Sequence, residues 1–140
     1  MVVGKFLSET LPAVITENTS SGPGPGGVAG LPTRWLTARV TGPSMSPTVR
    51  HGDRLLVARV RPGDPVRAGE VVLARFPSRP ELLVVKRVRR AVPGGHWVEG
   101  DNPLVADDSR AFGPAVVVGR VLVRTWPRPG RLGPAPDAPA

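Results

Sequence analysis

Glu81-Leu82-Leu83-Val84-Val85-Lys86-Arg87-Val88-Arg89-Arg90 is dense in aliphatic and β-branched residues and contains no glycine, proline or asparagine. It reads as a strand, and strand side chains alternate between two faces. Leu82, Val84, Lys86 and Val88 then share one face, while Leu83, Val85, Arg87 and Arg89 share the other. Runs of the same character occur on either side, at 35–40, 54–60, 70–76, 97–99 and 115–126, with this strand extended over 81–92. Their separators are turn-like: Arg61-Pro62-Gly63-Asp64-Pro65, Pro77-Ser78-Arg79-Pro80, Pro93-Gly94-Gly95 and Gly100-Asp101-Asn102-Pro103. No segment sustains a helical period, and there is no internal repeat. Short strands at this spacing predict a mainly β fold, a small antiparallel barrel or sandwich.

Beyond this body, residues 33–126, the composition changes. The chain of 140 residues carries 17 glycines and 18 prolines, a quarter of the total, which approaches the level of low-complexity disorder. Much of that excess lies in residues 18–32 and 127–140. Residues 1–32 are therefore expected to be a flexible segment ending in a Gly/Pro linker, and 127–140 a Pro-rich disordered tail. The 40% of hydrophobic residues suffices for one core in between. With no cysteine, disulfides, thiolate nucleophiles and cysteine-held zinc are excluded. No apolar run approaches the roughly 18 residues of a membrane span, and residues 1–15 lack the apolar stretch of a secretory signal. The expectation is a cytoplasmic protein without an integral membrane anchor.

The formal charge is +8, and only Lys5 and Lys86 among 19 basic residues are lysines. Such a basic β-domain raises a non-enzymatic alternative, binding to nucleic acid or another anionic surface. The arginines scatter along the chain, however, and the three Trp and three Phe are not clustered for base stacking, so no specific nucleic-acid partner is expected.

Lys86 points from an aliphatic face in a chain that otherwise uses arginine. One reading is a lysine that snorkels to the sheet edge. The other is a buried amine whose pKa falls from about 10.4 until it can act as a general base, which an arginine cannot do. Ser44 lies just after the 35–40 strand, in Thr41-Gly42-Pro43-Ser44-Met45-Ser46-Pro47-Thr48, where Gly42-Pro43 turns the chain and Pro47 holds Ser46 extended. It reads either as an ordinary surface turn or as a nucleophile on a constrained loop. Asp108 can pair with Arg110 locally and Asp101 with Arg87 across strands. Asp101, Asp107 and Asp108 lack the glycine and glutamate spacing of a calcium loop, so no metal or cofactor is expected.

In order and spacing, these segments resemble the serine–lysine signal-peptidase family. The match consists of Gly42-Pro43-Ser44-Met45-Ser46-Pro47-Thr48, His51-Gly52-Asp53, the 65–72 segment, Val85-Lys86-Arg87, Gly100-Asp101-Asn102, Asp108-Ser109-Arg110 and Phe112-Gly113. It extends over roughly 38–124. The resemblance implies that Ser44 is the nucleophile and Lys86 its general base, a known variant of the serine triad. It also implies that the Ser44 N–H forms part of an oxyanion hole at Gly42–Met45, that Met45 lines the substrate pocket, and that Arg87, Asp101, Asp108 and Arg110 form scaffold ion pairs. His51 and His96 are left as turn and hairpin residues. Two features depart from the pattern: Gly42 stands where some members place a serine as a second oxyanion donor, and Ala106 stands where many place a serine beside the lysine. Within the family, the pattern is similar to the small proteases that mature nickel-type superoxide dismutase, which implies a precursor protein as substrate. Signal peptidase I-like processing and self-cleavage, the latter through the 18–32 linker, are the alternatives within the same chemistry.

Overall fold

A computed structural model describes residues 15–16 and 34–136. They form one seven-stranded sheet: β1 (Ile15–Thr16), β2 (Trp35–Arg39), β3 (Arg54–Arg59), β4 (Val71–Phe76), β5 (Arg79–Val92), β6 (Gly95–Glu99) and β7 (Val116–Trp126), with a single helical turn α1 (Ser109–Phe112). The strand order is β1-β2-β3-β7-β4-β5-β6, and every pairing is antiparallel. The mainly β expectation is met. Residues 1–32, expected to be flexible, lie outside the described residues apart from the backbone of β1, which pairs with β2.

β7 runs through the middle of the sheet, between β3 and β4. Gly119 makes this possible: a Cβ there would stand 2.5 Å from Val57 Cγ1, so the close approach of β7 to β3 excludes any side chain. Register shifts in the β3–β7, β4–β7 and β5–β6 pairings bend the sheet, as bulges do. The bend brings β6 round to the start of β7. There His96 and Ala115 exchange two backbone hydrogen bonds, of 2.9 and 2.8 Å. β4, β5, β6 and the lead into β7 thus close a ring around one core of Val72, Ala74, Phe76, Val84, Val88, Val98 and Ala115. On the other face of β4 and β5, Val71, Leu73 and Val85 join Leu36, Ala38, Val40, Met45, Val49, Leu55, Val57 and Val121 in a second core. The alternation read from β5 decides which face meets which core. Lys86 lies in register between Val84 and Val88, on the ring side.

Residues 127–136, which the sequence reading places in the Pro-rich tail 127–140, make contacts with the body, and 137–140 lie outside the described residues. Arg124 and Gly130 exchange hydrogen bonds of 2.8 and 3.0 Å, Gly133 C=O accepts from Arg87, and Leu132 packs on the second core. Prolines stiffen this segment, lowering the entropy lost when such contacts fix it.

Candidate active site

Three segments converge at the middle of β5, around Lys86. The first is the loop between β2 and β3. Val40 N–H donates to Asp53 C=O at 2.9 Å and Gly52 N–H to Val40 C=O at 2.8 Å, which closes the loop at its base. Met45 and Val49 are fully buried and joined by a 3.0 Å bond from Val49 N–H to Met45 C=O. Each such side chain anchors the loop to the core by roughly 2 kcal/mol. Gly42 takes a φ of +89°, which favours glycine, and its N–H donates to His51 Nδ1 at 3.0 Å. His51 is thus more than a turn residue: its ring buckles the two sides of the loop together.

The second segment is β5. Lys86 is fully buried, and its Nζ lies 2.9 Å from Ser44 Oγ, forty-two residues earlier in the chain. As an ammonium, Lys86 donates to the hydroxyl oxygen; with the amine neutral, the same contact can run from the hydroxyl to the Nζ lone pair. Burial lowers the Lys86 pKa from 10.5 to about 8, against the opposing pull of the Asp108 and Asp107 carboxylates. The snorkelling reading does not hold, because the amine points into the protein at Ser44.

The third segment runs from Gly100 to α1. Asn102 N–H donates to Ser44 C=O at 2.9 Å, and Asn102 Nδ2 donates to Pro43 C=O at 3.0 Å, gripping the serine turn from outside. Gly100 lies so close to this turn that a Cβ would stand 2.5 Å from Ser44 O. Asp101 accepts from Thr48 Oγ1 at 2.6 Å and from Arg87 Nε and Nη2 at 3.0 and 2.8 Å. Asp108 caps α1 and accepts from Gly100 N–H at 2.9 Å and from Arg110 Nε and Nη2 at 2.9 and 2.6 Å. Burial alone would raise the Asp108 pKa; its hydrogen bonds from Arg110 and Gly100 outweigh that and hold the carboxyl below its usual range.

Ser44 and Lys86 meet as expected, and the Arg87–Asp101 and Asp108–Arg110 pairs form. Two assignments need correction. Met45 does not line an open pocket: its side chain is fully buried, and its sulfur accepts from Asp101 N–H at 3.4 Å, because a thioether can fill a core and still take a weak hydrogen bond. Gly42 cannot offer its N–H to an oxyanion while His51 holds it. Three positioning residues carried no positioning role in the sequence reading, His51 being left there as a turn residue. Asn102 stood in a quoted motif without a role, and Thr48 and His51 act through contacts that no spacing rule foretells.

Comparison with known proteins gives the same picture. The model of the Peptidase S24-like family matches residues 25–122. Mitochondrial inner membrane protease subunit 1 of Xenopus tropicalis is 33% identical over 123 residues, covering 71% of this chain and 73% of that protein. Mitochondrial ATP-independent inner membrane protease subunit 1a of Arabidopsis thaliana is 36% identical over 119 residues, covering 65% and 70%. The corresponding human subunit 1 is 32% identical over 111 residues, covering 62% and 67%. These relatives overturn the expected cytoplasmic location, since each is named for a membrane, although no helix among the described residues is long and apolar enough to cross one. They also carry no mention of superoxide dismutase. With the fold, the site and these matches in agreement, the chain belongs to the Peptidase S24-like family of peptidases.

Proposed function

We propose that this chain is a serine endopeptidase in which Lys86 and Ser44 form a catalytic dyad that removes an N-terminal extension from a precursor protein. The observation that carries this reading is the 2.9 Å contact between Lys86 Nζ and Ser44 Oγ, made where burial weakens the amine's hold on its proton. Neutral Lys86 takes the Ser44 proton as Oγ attacks the scissile carbonyl carbon. The oxyanion that develops is received by the Ser44 N–H, which meets no acceptor among the described residues. Lys86, now an ammonium, returns the proton to the departing amine as the C–N bond breaks. Water then attacks the acyl ester and gives its proton to Lys86. Lys86 passes it to Ser44 Oγ as the ester C–O bond breaks, so the carboxylic acid leaves and both Ser44 and neutral Lys86 are restored. Arg87, Asp101, Asp108 and Arg110 take no part in the chemistry; they hold Gly100–Asn102 against the serine turn.

The nickel-type superoxide dismutase precursor is the first substrate to test, and its support is the motif resemblance alone. The names of the relatives favour a second reading, signal-peptidase-like processing of a precursor at a membrane. The purified chain is incubated with that precursor and, separately, with precursors of exported proteins, and new N-termini are read by mass spectrometry. Cleavage by the native chain that disappears in Ser44→Ala is the expected outcome. Cleavage that survives Ser44→Ala, or its absence for every precursor, refutes the proposal.

A further inference from the structure

We infer that the C-terminal segment 127–134 is a strap that positions the serine turn, acting through Arg124 and Arg87. A ring of hydrogen bonds supports this. Arg124 pairs its backbone with Gly130 at 2.8 and 3.0 Å, and its Nε donates to Arg128 C=O at 2.8 Å. The same guanidinium reaches the serine loop: Nη1 donates to Thr48 C=O at 3.0 Å and lies 3.5 Å from Asp53 Oδ2. Thr48 Oγ1 donates to Asp101 Oδ2 at 2.6 Å, and Asp101 is held by Arg87 Nη2 at 2.8 Å. Arg87 Nη2 then donates to Gly133 C=O at 3.2 Å, three residues beyond Gly130, where the ring began.

Asp101, a member of this ring, and its neighbour Asn102 both touch the serine turn. Asp101 N–H donates to Met45 Sδ, the side chain next to Ser44, and Asn102, the neighbour of Asp101, grips Ser44 C=O. The charged side chains at the body end of the ring are sheltered, with Arg87 and Asp101 3% and 0% exposed and Arg124 14% exposed, whereas the strap residues Arg128, Gly130 and Gly133 are exposed. Buried charged donors on carbonyls are costly to leave unpaired, so removing the strap frees Arg87 and Arg124 to seek other partners and loosens Thr48 and Asp101. A hollow of about 580 Å3 lies where the strap crosses, lined by Arg87, Arg120, Leu132 and Gly133. Without the segment, Arg87 loses the Gly133 carbonyl and faces that hollow directly. Lys86, on the opposite face of β5, is left in its own surroundings.

The strap therefore sets the position of the nucleophile and not the basicity of its partner. This rests on the Ser44 peptidase reading only for its kinetic consequence; the mechanical coupling does not. Three chains are compared with the native one: truncation after Trp126, truncation after Pro134, and Arg124→Ala. Amide hydrogen exchange is expected to quicken at least tenfold over residues 44–49 in the first and third chains, with β4 and β5 unchanged, and to stay native after truncation at Pro134. Cleavage is expected to lose about tenfold in kcat in the same two chains. KM should stay within a factor of two and the pH midpoint unmoved, and a synthetic peptide of residues 127–136 should restore part of the rate to the Trp126 truncation. Native exchange at 44–49 in the Trp126 truncation and in Arg124→Ala overturns the inference, whatever the activity. Exchange that rises throughout the sheet overturns it too, since the segment then serves only global stability. Quickened exchange at 44–49 in a chain whose native form cleaves nothing upholds the strap and refutes the peptidase reading instead.

Discussion

The rate of cleavage should follow the deprotonation of Lys86, and the structure sets the range. An ordinary lysine at 10.5 has about 0.03% neutral amine at pH 7, whereas one at about 8 has about 9%, a gain of roughly 300-fold. That difference corresponds to on the order of 3 kcal/mol between the two protonation states, and burial among Val84, Val88 and their neighbours is its main source. The neutral fraction is about 1% at pH 6, about half at pH 8 and about 90% at pH 9, so kcat/KM should climb close to tenfold per pH unit below 7.5 and level off above 8.5. The assay is precursor cleavage under subsaturating conditions at constant ionic strength, followed by mass spectrometry. Lys86→Arg serves as the control: a guanidinium keeps its proton, so that variant should be inactive across the range despite its charge. A rate that is flat from pH 6 to 9, or an active Lys86→Arg enzyme, would refute the general-base argument.

The same burial makes Lys86 a liability for folding. Between about 8 and 10.5 the unfolded chain holds the lysine proton and the folded chain does not, so stability should rise with pH through that window. Lys86→Met should thus stabilise the inactive protein at pH 7, by up to about 3 kcal/mol in urea titrations, with the gain vanishing near pH 11. Gly100→Ala places a methyl group 2.5 Å from Ser44 O, so the serine turn must shift; cleavage should fall at least about 100-fold while far-UV circular dichroism stays native. Arg87→Ala strands the Asp101 carboxylate in a buried site, and unfolding by urea should register a loss of about 3–5 kcal/mol.

The sequence alone determined which segments are strands, because aliphatic and β-branched runs broken by Pro, Gly, Asp and Asn are local signals. All six anticipated strands begin and end within two residues of those observed, as at 35–40 and 115–126. Alternation along β5 also placed Lys86 on one face with Val84 and Val88, and family order tied Ser44 to Lys86. Distance was beyond its reach: strand patterning does not say that β7 lies between β3 and β4, or that bulges curl the sheet until β6 meets Ala115. Nor does local composition tell a placed segment from a free one. Residues 127–136 carry the prolines of a tail, yet two arginines bind their carbonyls because β5 and β7 bring Arg87 and Arg124 beside them. Met45 and Gly42 were misjudged for a related reason: a motif names the residues around a nucleophile, while packing decides which face the core and which N–H groups are already taken. Chemistry is written in residue types, but reach and availability arise only when distant parts of the chain compete for the same space and the same hydrogen bonds.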